Sequence, residues 1–149
     1  MNNLLVALDL QSPKHSQTIV DHASHLAKSF GAKVWLIHIA QPDPEFVSYD
    51  VGPQYIRDEI ADELRGEHRQ IQRIAEDLKE MGVDCDGLLI QGPTEDLILQ
   101  EIDKLNIDLL IIGNKKKGFF QELFLGSVTD DLIKDVPVPI YLIPLGKDE

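Results

Sequence analysis

Three apolar runs in this chain are almost unbroken: Leu4-Leu5-Val6-Ala7-Leu8, Val34-Trp35-Leu36-Ile37-His38-Ile39 and Leu109-Leu110-Ile111-Ile112. A strand with one wet face alternates apolar and polar residues, because successive side chains point to opposite sides. A run that is apolar at every position reads as a strand covered on both faces, the condition of a parallel sheet between helical layers. With two further runs, the predicted strands are Leu4–Asp9, Lys33–Ala40, Val83–Gln91, Ile107–Gly113 and Val138–Ile143.

Helical patterns fill the gaps. Ser12-Pro13 supplies a cap and a first-turn proline; Ile19, Ala23, Leu26, Ala27 and Phe30 keep one face, and Gly31 stops the helix. A longer helix is expected from Tyr55 to Met81, with Ile60, Leu64, Ile71, Ile74 and Leu78 on its apolar side and Gly82 as its stop. Gly66 lies in its middle and marks a weak point, since glycine costs ~1 kcal/mol in a helix interior. Two more helices are predicted at Thr94–Leu105 and Ser127–Lys134, the last cut off before Pro137. Strict alternation of strand and helix gives an α/β fold with a parallel sheet and helices on both faces. Ligands in such folds bind at the carboxyl ends of the strands, where strand order reverses. The positions to inspect are therefore Asp9, Ile39–Ala40, Gln91–Gly92 and Gly113, with the proline- and glycine-rich stretch Gln41–Pro53 as a long loop beside them.

The chain has 149 residues, consistent with a single domain over 1–149. Its net charge of −12 argues against a nucleic-acid partner, which would need a basic face. Its apolar runs are far shorter than the ~20 residues of a membrane helix, and no signal-peptide pattern opens the chain. A lone cysteine, Cys85, rules out an internal disulfide framework, and a cytoplasmic location is expected. Against that acidic background, Lys115-Lys116-Lys117 forms a basic cluster.

That cluster stands inside the most informative segment, Gly113 through Thr129. A glycine at a strand end lets backbone approach a ligand, and Gly126-Ser127 opens a helix whose free N–H groups and dipole suit phosphate. Asp9, at the first strand's carboxyl end, could accept from ribose hydroxyls or hold a hydrated Mg²⁺; it could equally cap local backbone. Gly113-x₄-Gly118 has P-loop glycine spacing, but Phe119-Phe120 follows where Lys-Ser/Thr is needed. A dinucleotide Gly-x-Gly-x-x-Gly is absent, and Gln91 stands where a receiver domain would carry its phospho-accepting aspartate. His15 and His22 share the edge of a helical stripe and His25 points outward, with no partner at metal-ligand spacing; no metal site is expected. His38 reads as a packed histidine rather than a base. Cys85 lies between Asp84 and Asp86, which raise its pKa, so it reads as inert. No nucleophile–base–orienter set can be assembled.

The combined pattern resembles the universal stress protein family. It is carried by Leu5-Val6-Ala7-Leu8-Asp9, His38-Ile39, Gly92-Pro93, Asp108-Leu109-Leu110-Ile111-Ile112-Gly113, Leu125-Gly126-Ser127-Val128-Thr129 and Val136-Pro137-Val138-Pro139-Ile140. Nucleotide-binding members carry Gly-x₂-Gly-x₉-Gly-Ser/Thr. Gly113 and Gly126-Ser127 stand at the matching distance, while the second glycine falls on Lys116 and Gly118 comes two residues late.

The resemblance implies a three-layer, open, five-stranded parallel sheet of order 3-2-1-4-5, Rossmann-like and of the adenine nucleotide alpha hydrolase type. It implies ATP or another adenine nucleotide as ligand, with Mg²⁺ as a possible companion. Ala7, Leu8 and Asp9 would line adenine and ribose, and Ile39 would pack on adenine. Ile112 and Gly113 would border ribose and phosphates; Gly126, Ser127, Val128 and Thr129 would bind phosphate. Lys116 would either place an ammonium near the phosphates or fill their space. The family pairs its last strand across a two-fold axis, so a homodimer through Val138–Ile143 is expected. The resulting expectation is a stress-response sensor or regulator, at most a slow ATP hydrolase. The competing expectation is a dimeric protein-interaction module whose phosphate site Lys116 blocks.

Overall fold

A computed structural model describes residues 1–8, 10, 12–40, 54–91, 94–115 and 133–146, with backbone alone at 39–40, 54–64, 91, 94 and 115. Its five strands are β1 (Asn3–Ala7), β2 (Lys33–Ala40), β3 (Cys85–Gln91), β4 (Leu109–Lys115) and β5 (Ile140–Leu145). They form one sheet of order β3-β2-β1-β4-β5, every neighbouring pair parallel. Helices α1 (Pro13–Phe30), α2 (Gln54–Glu80) and α3 (Thr94–Lys104) lie between them, and residues 133–135 are helical before β5.

The sheet is buried on both sides, as its unbroken apolar runs require. Leu4, Val6, Leu8, Val34 and Leu36 face one core together with Ile19 and Ala23 of α1 and Ile71, Ala75 and Leu78 of α2. Leu5, Ala7, Ile37, Leu110 and Ile112 face the other, against Ile98 and Ile102 of α3. Alternate residues of β1, β2 and β4 thus feed opposite cores, while on the edge strand β5 Leu142 is exposed.

Pro13 opens α1 and Ser12 stands at its N-cap, though the Ser12 side chain makes no capping bond. Gly31 ends the helix in a left-handed conformation (φ 63), and Gly82 does the same after α2 (φ 87). Phe30, expected on the buried stripe, is exposed, at the last helical position before the left-handed Gly31 cap. Of the α2 stripe, Ile71 and Leu78 are buried and Ile74 packs partly against the core; the side chains of Ile60 and Leu64 lie outside the described residues. The helix runs through Gly66 without a break. Among the described residues a Cβ added there would meet only Arg69 Nη2, at 3.9 Å. The mid-helix glycine is therefore a cost without a steric reason, and Gly66→Ala is expected to raise stability by about 1 kcal/mol. A thermal midpoint unchanged or lowered would contradict this.

Strand boundaries shift by one or two residues from the sequence expectation: β1 spans Asn3–Ala7, β3 starts at Cys85, β4 spans Leu109–Lys115 and β5 spans Ile140–Leu145. The last strand begins at Ile140, two residues later than predicted. Pro137 and Pro139 lack N–H donors, and Pro139 contributes only its carbonyl, which accepts from Leu110 N–H at 3.0 Å. Its partner β4 runs on to Lys115, pairing Asn114 with Pro144 and Lys115 with Leu145. A proline inside β5 is tolerated because β5 is an edge strand. Two histidines of α1 hold it in place: His15 Nε2 lies 3.0 Å from the Gly146 carbonyl, and His22 Nδ1 lies 3.0 Å from the Tyr141 hydroxyl.

At the opposite end of the sheet, Asp108 Oδ2 accepts the N–H groups of Asn2 (2.7 Å) and Asn3 (3.0 Å). These bonds hold its carboxyl below the ordinary value of 3.8. A depressed carboxylate pKa stabilises the fold above its unfolded value and loses that contribution as pH falls through the folded one. The midpoint gap between wild type and Asp108→Ala is expected to be constant above about pH 5 and to close in stronger acid. A gap independent of pH would refute it. The Cys85 thiol, wholly buried, is pushed up to about 12, chiefly by burial and then by the Asp86 charge. The acidic neighbours named from sequence are thus the smaller cause of its inertness.

Candidate functional site

In this topology β1 is the hinge of the sheet. The chain leaves it for β2 on one side, while β4 lies on the other. Connections that depart in opposite directions leave a crevice at the carboxyl ends of those two strands. The register pairs Val6 with Ile111, which sets Ala7 and Leu8 beside Ile112 and Gly113. Four of the residues expected at a site are therefore brought together by strand pairing alone.

Their side chains divide between the two cores. Ala7 and Ile112 pack on the α3 side, at 7% and 1% exposure. Leu8 packs on the α1–α2 side and is wholly buried. Both of its backbone groups are engaged: its N–H donates to Ile37 O at 2.9 Å, and its carbonyl accepts from His38 Nδ1 at 3.2 Å. Leu8 is therefore a firm end to β1, with its side chain committed to the core.

Gly113 is a glycine for want of space on the helix side. A Cβ built there would stand 2.5 Å from Leu145 Cδ1 and 3.0 Å from Ile19 Cδ1. The sequence reading gave this glycine to ligand approach; packing of α1 and β5 over β4 is a sufficient reason for it.

His38 is buried, as expected of a packed histidine, but it is also bonded. Besides Leu8, its ring meets α2, where Nε2 lies 3.6 Å from Glu67 Oε2. Sequence reasoning passed over this link. The available signal was parity: Val34, Leu36 and His38 alternate onto one face of β2, the face that α2 covers.

The remaining predicted residues, Asp9, Lys116, Gly126, Ser127, Val128 and Thr129, lie outside the described residues, as do the Gln41–Pro53 loop and Gly118. Ile39 is in β2, and its side chain lies outside the description. Among the described residues no three His, Cys, Asp or Glu side chains gather as a metal centre would need. A hollow of about 250 Å³ opens between α1 and α2, floored by Val20 and Ile74 and edged by Gln17, Arg73 and Asp77.

A model of the Universal stress protein family matches residues 1–144. The chain belongs to the universal stress protein family. Universal stress protein A of Photorhabdus laumondii is 30% identical over 150 residues, covering 99% of this chain and 97% of that protein. The fold matches that of MJ0577, a universal stress protein of Methanocaldococcus jannaschii, with a TM-score of 0.76 at 21% identity, over 99% of this chain and 98% of the other. A universal stress protein from Archaeoglobus fulgidus, solved in complex with dAMP, matches with a TM-score of 0.63 at 16% identity, over 96% and 98% of the two chains. Another, in complex with cAMP, matches with a TM-score of 0.63 at 19% identity, over 95% of each. Universal stress proteins of this fold thus include binders of adenine nucleotides. Among the described residues no helix is long and apolar enough to cross a membrane.

Proposed function

We propose that this universal stress protein binds an adenine nucleotide at the carboxyl ends of β1 and β4 and serves as a stress-response sensor or regulator. The observation that carries the reading is the pairing of β1 with β4, which sets Ala7-Leu8 beside Ile112-Gly113 at the crevice of the sheet. The fit is supported by the engaged backbone of Leu8, since a ligand platform needs a strand end that does not give. Related proteins in complex with dAMP and cAMP supply the ligand class. In this reading Asp9 receives the ribose hydroxyls and Ile39 packs on the base. Gly126, Ser127, Val128 and Thr129 take the phosphates through backbone N–H and hydroxyl groups. Lys116 adds an ammonium to the phosphates, and Mg²⁺ accompanies a triphosphate. We further propose a cytoplasmic homodimer through the last strand, consistent with β5 lying at the sheet edge.

Calorimetric titration with ATP, ADP and AMP tests the reading, together with chromatography of the supernatant from denatured protein. No heat and no released nucleotide would end it. Lys116→Gly separates it from the alternative. As a phosphate ligand, Lys116 contributes a charge-assisted contact, and its loss is expected to weaken binding roughly tenfold. Tighter binding in Lys116→Gly would instead make the lysine a blocker and favour the protein-interaction module.

A further inference from the structure

His38 is the described polar side chain that joins the end of β1 to α2. It is 6% exposed. A carbonyl oxygen only accepts, so the 3.2 Å contact with Leu8 O requires that Nδ1 carry the proton. The opposite ring nitrogen lies 3.6 Å from Glu67 Oε2, an ion-pair distance longer than a hydrogen bond. One ring thus lies against Leu8, just past the end of β1, and against the middle of α2, which are separated in sequence by α1 and β2.

We infer that His38 is a positioning residue: its Nδ1–H fixes the Leu8 carbonyl just past the end of β1. In the proposed nucleotide site, on which this inference rests, Leu8 is among the residues that line adenine and ribose. His38 therefore acts on the ligand through Leu8, without touching it, and ties the same strand end to α2.

The test uses the full chain in two halves. In ligand-free protein labelled with ¹⁵N, long-range imidazole correlations report which ring nitrogen of His38 is protonated. A proton on Nδ1 is expected; a bare Nδ1 would overturn the inference without any substitution. In the second half, His38→Asn keeps an N–H near the place of Nδ1, whereas His38→Gln moves it toward the place of Nε2. His38→Asn is expected to retain nucleotide affinity within about threefold, and His38→Gln to weaken it about tenfold. Amide exchange at Val6–Leu8 should be faster in the glutamine variant than in the asparagine variant. Equal behaviour of the two variants in affinity and exchange would sink the positioning role. A wild type that binds none of the three nucleotides removes the proposed function instead, and the ring proton and the exchange rates still decide whether His38 holds Leu8. If either variant fails to fold, the ring proton of the wild type decides alone.

Discussion

Gly87→Ala is expected to lower stability by about 3 kcal/mol and the thermal midpoint by roughly 6–12 °C. Gly87 lies in β3 under α2, and an alanine Cβ would collide with Cγ2 of Ile71. Relief is not cheap. Cγ2 sits one bond from a β-branched Cβ, so it cannot swing away without rotating the whole side chain. Ile71 is itself wholly buried, and its carbonyl oxygen would lie 3.4 Å from the new methyl. The helix would have to lift from the strand, which would also strain the bond from Gln72 Nε2 to Gly87 O at 3.3 Å. Because Gly87 has no positive φ, space and not backbone conformation explains the glycine. A double-mutant cycle isolates this cause. Ile71→Ala alone costs about 2–5 kcal/mol, but combined with Gly87→Ala the two losses should fall short of additive by 1 kcal/mol or more, on the order of a contact-pair coupling. Strict additivity in urea unfolding would show that the methyl meets something else.

Gly113→Ala is expected to cost about 2 kcal/mol, for a related reason at the other end of the sheet. The methyl would press on Leu145 Cδ1 at 2.5 Å and Cγ at 3.2 Å, and on Ile19 Cδ1 at 3.0 Å. Leu145 is 3% exposed and Ile19 2% exposed, so neither has an empty direction in which to retreat. The two atoms nearest the methyl are terminal carbons, which is why the expected cost is smaller than at Gly87. This substitution also distinguishes two reasons for the glycine. If packing is the reason, stability falls in the absence of any ligand. If ligand approach is the reason, unfolding is unchanged and only nucleotide affinity suffers. An unchanged urea midpoint would therefore return Gly113 to the role its place in the motif suggests.

The sheet was legible because three strands carry almost unbroken apolar runs, and that pattern has few solutions. Strand ends were less legible. Val138 and Pro139 were assigned to the last strand on hydrophobicity, but two prolines within three residues withhold the donors a ladder needs, and pairing starts at Ile140. The exposure of Phe30, at the last helical position before Gly31, is not encoded in periodicity. At the site, Ala7, Leu8, Ile112 and Gly113 were named from the family resemblance, and the pairing of β1 with β4 sets them side by side. The bond from His38 to Leu8 could not be named in this way, since it depends on which face of β2 meets α2 and on a ring reaching across one strand spacing. The two readings of Gly113 likewise separate only when Leu145 and Ile19 are seen above it.

The proline in β5 sets a limit on what can be added to the sheet. Leu110 N–H bonds to Pro139 O, and the parallel register then turns the backbone groups of Tyr141, Ile143 and Leu145 toward β4. Those of Ile140, Leu142 and Pro144 point the other way. The outward row thus has donors at Ile140 and Leu142 and none at Pro144. A strand from any second molecule laid along this edge can zip only as far as Leu142 before the donors run out. Among the described residues this edge is too short of donors to propagate a ladder, which limits indiscriminate pairing of an apolar border strand.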